Sequence, residues 1–391
     1  MPRLFDQWRQ HSPHYNESHD AWGESVRRFV SREVTPHIDQ WEQDGELPRS
    51  LHQKAAETGI LGMGFPEAYG GISEGLDTFH GIMFSMEMAE AASGGLLAGL
   101  MVHSVALKPV IALGSEELKA RIAPAVLSGD KIMALAVTEP SGGSDVANLK
   151  TRAERVGDHY VVNGSKTFIT SGMRADYYTV AVRTGGTGAE GVSLLLIEKD
   201  APGFSRTKLD KMGWHCSDTA TLHFDNVRVP VENLIGAEGQ AFRGMMKNFN
   251  GERLGIATTC CGFAMVALEE ALAWAQERTT FGKKLVQHQV VRQKLAEMTR
   301  EIYASLAWVE RCAAAIDAGH ENPAEIALLK VQATRMLEYV ARESCQILGG
   351  AGFMRGVKSE RIFRETRPQC IGGGTEEIML DLAAKQLGYL G

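Results

Sequence analysis

Two short segments far apart in the chain carry the residue types from which a carboxylate-driven proton transfer is built. Asn250-Gly251-Glu252-Arg253-Leu254 places a glutamate on a helical stretch beside the apolar Phe249 and Ile256, and Ile371-Gly372-Gly373-Gly374-Thr375 is a glycine loop that opens another helix. An ordinary helix glutamate is a solvated surface group. Placement beside Phe249, Ile256 and Cys260 leaves a working base open as the other reading. A third segment, Val137-Thr138-Glu139-Pro140-Ser141-Gly142-Gly143-Ser144-Asp145, leaves a short strand for a loop rich in glycine and hydroxyl groups. Its backbone N–H groups and the Thr138 and Ser144 hydroxyls suit an anionic or heteroaromatic ligand edge, although such a loop equally fits an ordinary surface turn.

These segments need a scaffold, and its period changes twice along the chain. From about Asp20 to Ser128 the pattern is helical: Phe79, Ile82, Met83, Met86 and Ala89 recur at three- and four-residue steps between Thr78 and Ala92, and Ser115-Glu116-Glu117 starts a helix ending before Gly129. From about Lys131 to Gly236 the period is two. His159 to Thr170 is expected to be two strands around an Asn163-Gly164 hairpin turn, Tyr177 to Val182 and Val192 to Ile197 two more, and Ala220, Leu222 and Phe224 alternate with polar neighbours. After Gly239 long helices return, over about Ala241 to Arg278 and Gln287 to Ala318, with a third opened by Asn322-Pro323-Ala324-Glu325 as cap, first-turn proline and a glutamate three residues on. Gly186 to Gly191 matches GxGxxG but joins two strands, so no helix N-terminus follows to hold a pyrophosphate and the dinucleotide reading is discarded.

A chain of 391 residues is long enough for two or three domains. Its formal charge of −7 with both signs scattered excludes the basic stripe of a nucleic-acid surface. The six cysteines form no CxxC pair and the histidines show no ligand spacing, so reduced thiols and no metal are expected. No apolar run reads as a membrane span and the N-terminus lacks a signal-peptide core, which makes the cytoplasm the expected compartment, or the mitochondrial matrix if a presequence has been removed.

The chain resembles the acyl-CoA dehydrogenase family over essentially its whole length. The resemblance rests on Pro66-Glu67-Ala68-Tyr69-Gly70-Gly71, Val137-Thr138-Glu139-Pro140 with Gly143-Ser144-Asp145, and Asn163-Gly164-Ser165-Lys166 with Ile169-Thr170. Further on it rests on Arg278-Thr279-Thr280-Phe281-Gly282-Lys283, Gln346 to Phe353, and Gly374-Thr375. Each is weak alone; order and spacing make them jointly specific. The resemblance implies an α+β fold with an N-terminal α-helical domain (1–130), a middle antiparallel β domain (131–238) and a C-terminal four-helix bundle (239–391), assembled as a homotetramer with one FAD per subunit. It implies that Val137, Thr138, Gly143 and Ser144 line the flavin, Ser144 also lying near the substrate thioester, and that Phe168 and Thr170 contact the ring system. Many relatives have Trp where Phe168 stands, so an aromatic face is kept and the indole donor lost. Arg278, Phe281 and Gln289 resemble residues that reach FAD across a subunit interface, with Gln346 and Gly350 on the adenosine side and Thr375 and Glu377 flanking the cofactor. Gln346 to Phe353 also reads simply as a helix end closed by glycine.

The reaction implied is removal of the pro-α proton of an acyl-CoA thioester by a carboxylate while the β hydrogen leaves as hydride to the flavin, with electrons passed to an electron-transfer flavoprotein. An α-CH is a very weak acid, so hydrogen bonds must stabilise the developing enolate and a dry pocket must lift the base's pKa. Most family members carry this glutamate just before the Gly-Thr pair, where this chain has Gly373. A minority, including isovaleryl-CoA and long-chain dehydrogenases, carry it on the helix in a Glu-Arg-Leu segment that matches Glu252-Arg253-Leu254. Glu252 is therefore the expected base, and Arg253 is expected either to help hold the CoA part or to form an ordinary salt bridge. Gly372, Gly373 and Gly374 are expected to line a widened acyl cavity, fitting branched or medium-to-long chains. Two alternatives use the same scaffold: other chemistry, as in an acyl-CoA oxidase or a desulfinase, and non-catalytic binding of FAD or acyl-CoA. Glu252 argues against both base-free versions, and the chain length against the oxidase.

Overall fold

The period-two region forms one mixed sheet, seen in a computed structural model that describes residues 3–320 and 322–389, without the side chains of 241–249. Its strands are β1 (Met133–Ala136), β2 (Arg152–Val156), β3 (His159–Thr170), β4 (Tyr177–Arg183), β5 (Val192–Glu198), β6 (Phe204–Lys208), β7 (Thr219–Pro230) and β8 (Leu234–Ile235). They lie in the order β6-β7-β3-β2-β4-β5-β8, with β1 added parallel to β4. β5 is apolar at nearly every position because both its faces are covered. Leu195 and Ile197 enter the core shared with β3 and β7, while Val192, Leu194 and Leu196 pack under the helices Lys108–Leu113 and Glu116–Leu127. Ser115 caps the second of these through Leu118 N–H, as its position predicts.

Asn163-Gly164 is not a turn. β3 runs unbroken through it, and the hairpin turn lies earlier, at Gly157-Asp158, where Val156 pairs with His159. Both edges of β3 are occupied, by β2 and by β7, so the Asn-Gly pair is absorbed as a bulge where the β7 register slips between Val162 and Gly164. Gly164 has φ +144°, and a Cβ there would sit 2.7 Å from Thr151 Oγ1. The GxGxxG segment joins β4 to its antiparallel neighbour β5 through a short 3-10 turn, which agrees with discarding it as a dinucleotide fingerprint.

Cα proximity divides the chain into two compact units: Met1–Asp39, Leu76–Gly94 and Asn250–Gly391 in one, Gln40–Gly75 and Gly95–Phe249 in the other. The N-terminal helical stretch is thus shared between them. Helices choose partners by apolar face rather than by order in sequence, and Thr78–Ala89 shows why: ten of its twelve residues are buried. It ends at Ala89, short of the expected Ala92, which has φ +52°. Its Glu87, wholly buried, is held by the guanidinium groups of Arg3 and Arg27 at 2.6 and 3.0 Å.

In that first unit the helix Pro323–Leu348 packs against Gln289–Asp317, Lys358–Ile371 and Glu376–Gln386. Asn322 caps it by accepting Glu325 N–H, but the Glu325 carboxylate does not close a capping box; it takes Trp308 Nε1 and Arg311 Nε at 3.0 and 2.7 Å, two donors offered by the neighbouring helix. The helix Ala241–Glu277 contains a stretch, Asn250–Glu277, long and apolar enough to cross a membrane by composition; 72% of its most apolar window is buried within the protein, which marks it as a core helix. Glu270 on this helix takes the Lys358 and Ser359 N–H groups and so caps Lys358–Ile371. The six cysteines are free thiols. His19, Asp77 and His80 cluster at metal-binding distance; they form the helix N-caps at Asn16 and Asp77 and link them, His19 Nε2 bonding Asp77 Oδ1 at 2.8 Å and His80 Nε2 bonding Ser18 Oγ at 2.9 Å.

Candidate active site

In the second unit the glycine- and hydroxyl-rich loop is folded by a tight turn. Glu139 and Gly142 exchange N–H···O bonds at 3.2 and 3.0 Å, which projects Gly142, Gly143 and Ser144 into solvent while Val137 and Thr138 stay half-buried. The loop is stitched to β3 where Thr167 N–H donates to Thr138 O at 2.9 Å. At that point the β3–β7 register slips again, between Lys166 and Ile169, and Phe168 takes φ +60° with 70% of its surface exposed. A left-handed phenylalanine costs about 1–2 kcal/mol and gains no burial here, so the bulge spends stability to present an aromatic face beside the loop. Thr170, two residues on, is half-buried. The turn takes up the Gly142 N–H, and an exposed ring beside the solvent-facing Gly143–Ser144 backbone and hydroxyls fits the edge and face of a planar heteroaromatic group.

The loop's anchor is a buried ion pair that the sequence reading quoted but gave no role. Lys166, with no exposed surface, donates to Glu139 Oε1 and Val137 O, both at 2.9 Å, and Glu139 also accepts Lys150 N–H at 2.6 Å and Thr151 N–H at 2.8 Å. Burial alone would raise the Glu139 carboxyl, but the Lys166 ammonium and these N–H groups outweigh it and bring it down to about 2. Desolvation draws Lys166 down as well, to about 8, against the attraction of Glu139. The carboxylate, with two backbone donors besides the ammonium, stays charged at neutral pH. A depressed carboxyl contributes stability that is full above its ordinary value of 4.5 and is lost as pH falls toward about 2. Glu139→Gln, which strands a buried ammonium, is therefore expected to cost about 3–5 kcal/mol in urea unfolding at pH 7, the gap to wild type closing between those two pH values. A gap that does not change with pH would contradict a charged Glu139.

In the first unit the two segments singled out at the start meet. Arg253, only 8% exposed, donates from Nε to Gly373 O at 3.0 Å and from Nη1 to Asn250 Oδ1 at 3.1 Å. Burial lowers its pKa and the adjacent Glu252 charge opposes this. Its guanidinium is thus engaged on the loop itself. Glu252, on the same turn, is half-buried. Of its expected apolar neighbours, Ile256 is half-buried and Cys260 fully buried, and the side chain of Phe249 lies outside the described residues. Gly373 has φ +68°, and a Cβ on it would stand 2.9 Å from Ile256 Cδ1; Gly374 has φ +112°, with a Cβ 2.4 Å from Met379 Cε. Both close atoms are the movable ends of side chains, so it is the positive φ that favours glycine at 373 and 374. Gly372 is exposed, and Thr375 closes the loop by accepting Ile378 N–H at 3.4 Å as cap of the last helix, where Glu377 is exposed in the first turn.

The remaining expected contacts are surface groups of the same unit. Phe281-Gly282 turns a two-residue hairpin between Thr279–Thr280 and Lys283–Lys284 with φ +49° and +75°, leaving Phe281 97% exposed. Arg278 and Gln289, before and after it, are exposed. Gln346 and Gly350 are exposed around a glycine-closed helix end, Gly349 having φ +62°.

Models of the three family domains match in order: acyl-CoA dehydrogenase N-terminal domain over residues 16–130, middle domain over 134–227 and C-terminal domain over 239–388. The chain belongs to the acyl-CoA dehydrogenase family. It is similar to the acyl-CoA dehydrogenase AFT10-1 of Alternaria alternata, 39% identical over 95% of this chain and 92% of that protein. The crystal structure of a putative acyl-CoA dehydrogenase from Mycobacterium smegmatis superposes with a TM-score of 0.94 at 45% identity, covering 97% of this chain and all of that one. A glutaryl-CoA dehydrogenase from the same organism, solved in complex with FADH2, superposes with a TM-score of 0.91 at 30% identity, over 99% and 97% of the two chains. The family is FAD-dependent, and the Phe168 face with the 137–144 loop is chemically suited to that cofactor.

Proposed function

We propose that this enzyme dehydrogenates a branched-chain, or a medium-to-long-chain, acyl-CoA at its α and β carbons with Glu252 as the base. The observation that carries the reading is the Arg253–Gly373 tie. It sets the Glu252 turn against a loop that has no carboxylate of its own. Bound FAD supplies the hydride acceptor. The chain's own residues do the rest: Glu252 takes the pro-α proton, Arg253 acts on the substrate by holding the loop, and Gly372, Gly373 and Gly374 leave space where the acyl chain enters. On the cofactor side, Val137, Thr138, Gly143, Ser144, Phe168 and Thr170 would hold the flavin ring. Arg278, whose fork suits a pyrophosphate, would act with Phe281, Gln289, Gln346, Gly350, Thr375 and Glu377 on the remainder. The exposure of Phe281, and of Phe353 at 87%, supports an assembly in which a second copy covers them, a homotetramer in this reading. The electron acceptor proposed is an electron-transfer flavoprotein, and the compartment the cytoplasm.

The glycine loop makes a substrate prediction. A cavity without side chains at 372–374 is expected to favour branched over straight short thioesters by about tenfold or more in kcat/KM, the scale set by one or two methylenes in a fitted pocket. Steady-state kinetics on matched pairs decide it, and a clear preference for unbranched short chains would overturn it.

A further inference from the structure

Lys330, on the helix Pro323–Leu348, is buried without exposed surface, and among the described residues no carboxylate pairs with it. Its Nζ donates to Cys370 O at 3.1 Å and to Gly374 O at 2.5 Å. Burying an ammonium is costly; Glu376 acts on it through charge alone, and its hydrogen bonds go to backbone oxygens. The first contact alone would be a helix C-cap, since Cys370 lies in the last turn of Lys358–Ile371. The second is not, because Gly374 stands beyond the helix end, on the far side of the loop. Arg253 holds Gly373 O between these two points. Three glycines have little conformational preference of their own, so the loop's path is imposed by these two cations on three carbonyls.

We propose that Lys330 is a positioning residue for proton abstraction: by spanning the Gly372–Gly374 loop from Cys370 O to Gly374 O it sets the distance between that loop and the Glu252 turn. The proposal rests on Glu252 being the base. Displacing a substrate-facing wall by an ångström costs about a hundredfold in rate without a matching loss of affinity, which separates positioning from general loosening.

The test is anaerobic stopped-flow reduction of the FAD-loaded enzyme by a reactive acyl-CoA, for wild type, Lys330→Met and Glu252→Gln. Lys330→Met is expected to lower the limiting reduction rate about 10- to 100-fold while the thioester Kd stays within about threefold and FAD content is unchanged. Lys330→Gln, which keeps an N–H donor on a shorter chain, should fall between and serves if the methionine variant does not fold. A rate within twofold of wild type, or a loss shared equally by rate and affinity, would overturn the proposal. Glu252→Gln reduced at the wild-type rate would instead remove the base assignment, and this proposal with it.

Discussion

Glu252→Gln is expected to slow thioester dehydrogenation by about 10²- to 10⁴-fold, the usual contribution of a positioned general base. The amide keeps the size and hydrogen bonding of the carboxylate and cannot take a proton. Arg253 makes its described bonds to Gly373 O and Asn250 Oδ1, so the loop should keep its place in the variant. FAD content and thioester binding should therefore persist. Turnover with an artificial electron acceptor, alongside flavin stoichiometry, reads both at once, and retained turnover would remove the assignment.

The second large effect concerns the place where most relatives carry the base. The double variant Glu252→Ala, Gly373→Glu moves the carboxylate to the loop and is expected to remain at least about 100-fold below wild type. A side chain at φ +68° costs about 1–2 kcal/mol in backbone strain, and its Cβ begins 2.9 Å from Ile256 Cδ1. Ile256 can turn its end aside, but relieving the backbone strain moves the loop against the hydrogen bonds from Arg253 and Lys330, which shifts the new carboxylate away from a productive approach. Recovery to within tenfold of wild type would mean that the loop is softer than its two clamps imply.

Glu252 is singled out as the proposed base by two departures from the common pattern that compensate: a glycine at 373 and a glutamate in Glu252-Arg253-Leu254. The 137–145 loop was legible as a loop in its glycines and hydroxyls, and its attachment was not. Lys166 and Lys330 read as ordinary lysines, since their burial depends on Val137 O, Glu139, Cys370 O and Gly374 O, partners fixed only by tertiary pairing. Lys166, set between Ser165 and Thr167, carries no signal of burial; for Lys330 the apolar run Ile326 to Val331 interrupted by a single charge was the hint. Asn163-Gly164 misled because the strongest local turn signal yields when both edges of a strand are paired, and the weaker Gly157-Asp158 took the turn instead. The division of the N-terminal helices between two units left no mark in their period, which reports an apolar face and not its partner.

The central claim is that a carboxylate on the helix, at Glu252, starts the oxidation of an acyl-CoA thioester. Anaerobic mixing of the FAD-loaded wild type and Glu252→Gln with straight, branched and cyclic acyl-CoA thioesters, following the oxidised flavin absorbance, tests it most directly. The account predicts rapid bleaching of wild type, fastest with branched thioesters, and a thioester-bound but unbleached Glu252→Gln. Bleaching of both proteins at one rate, or of neither by any thioester, would contradict it.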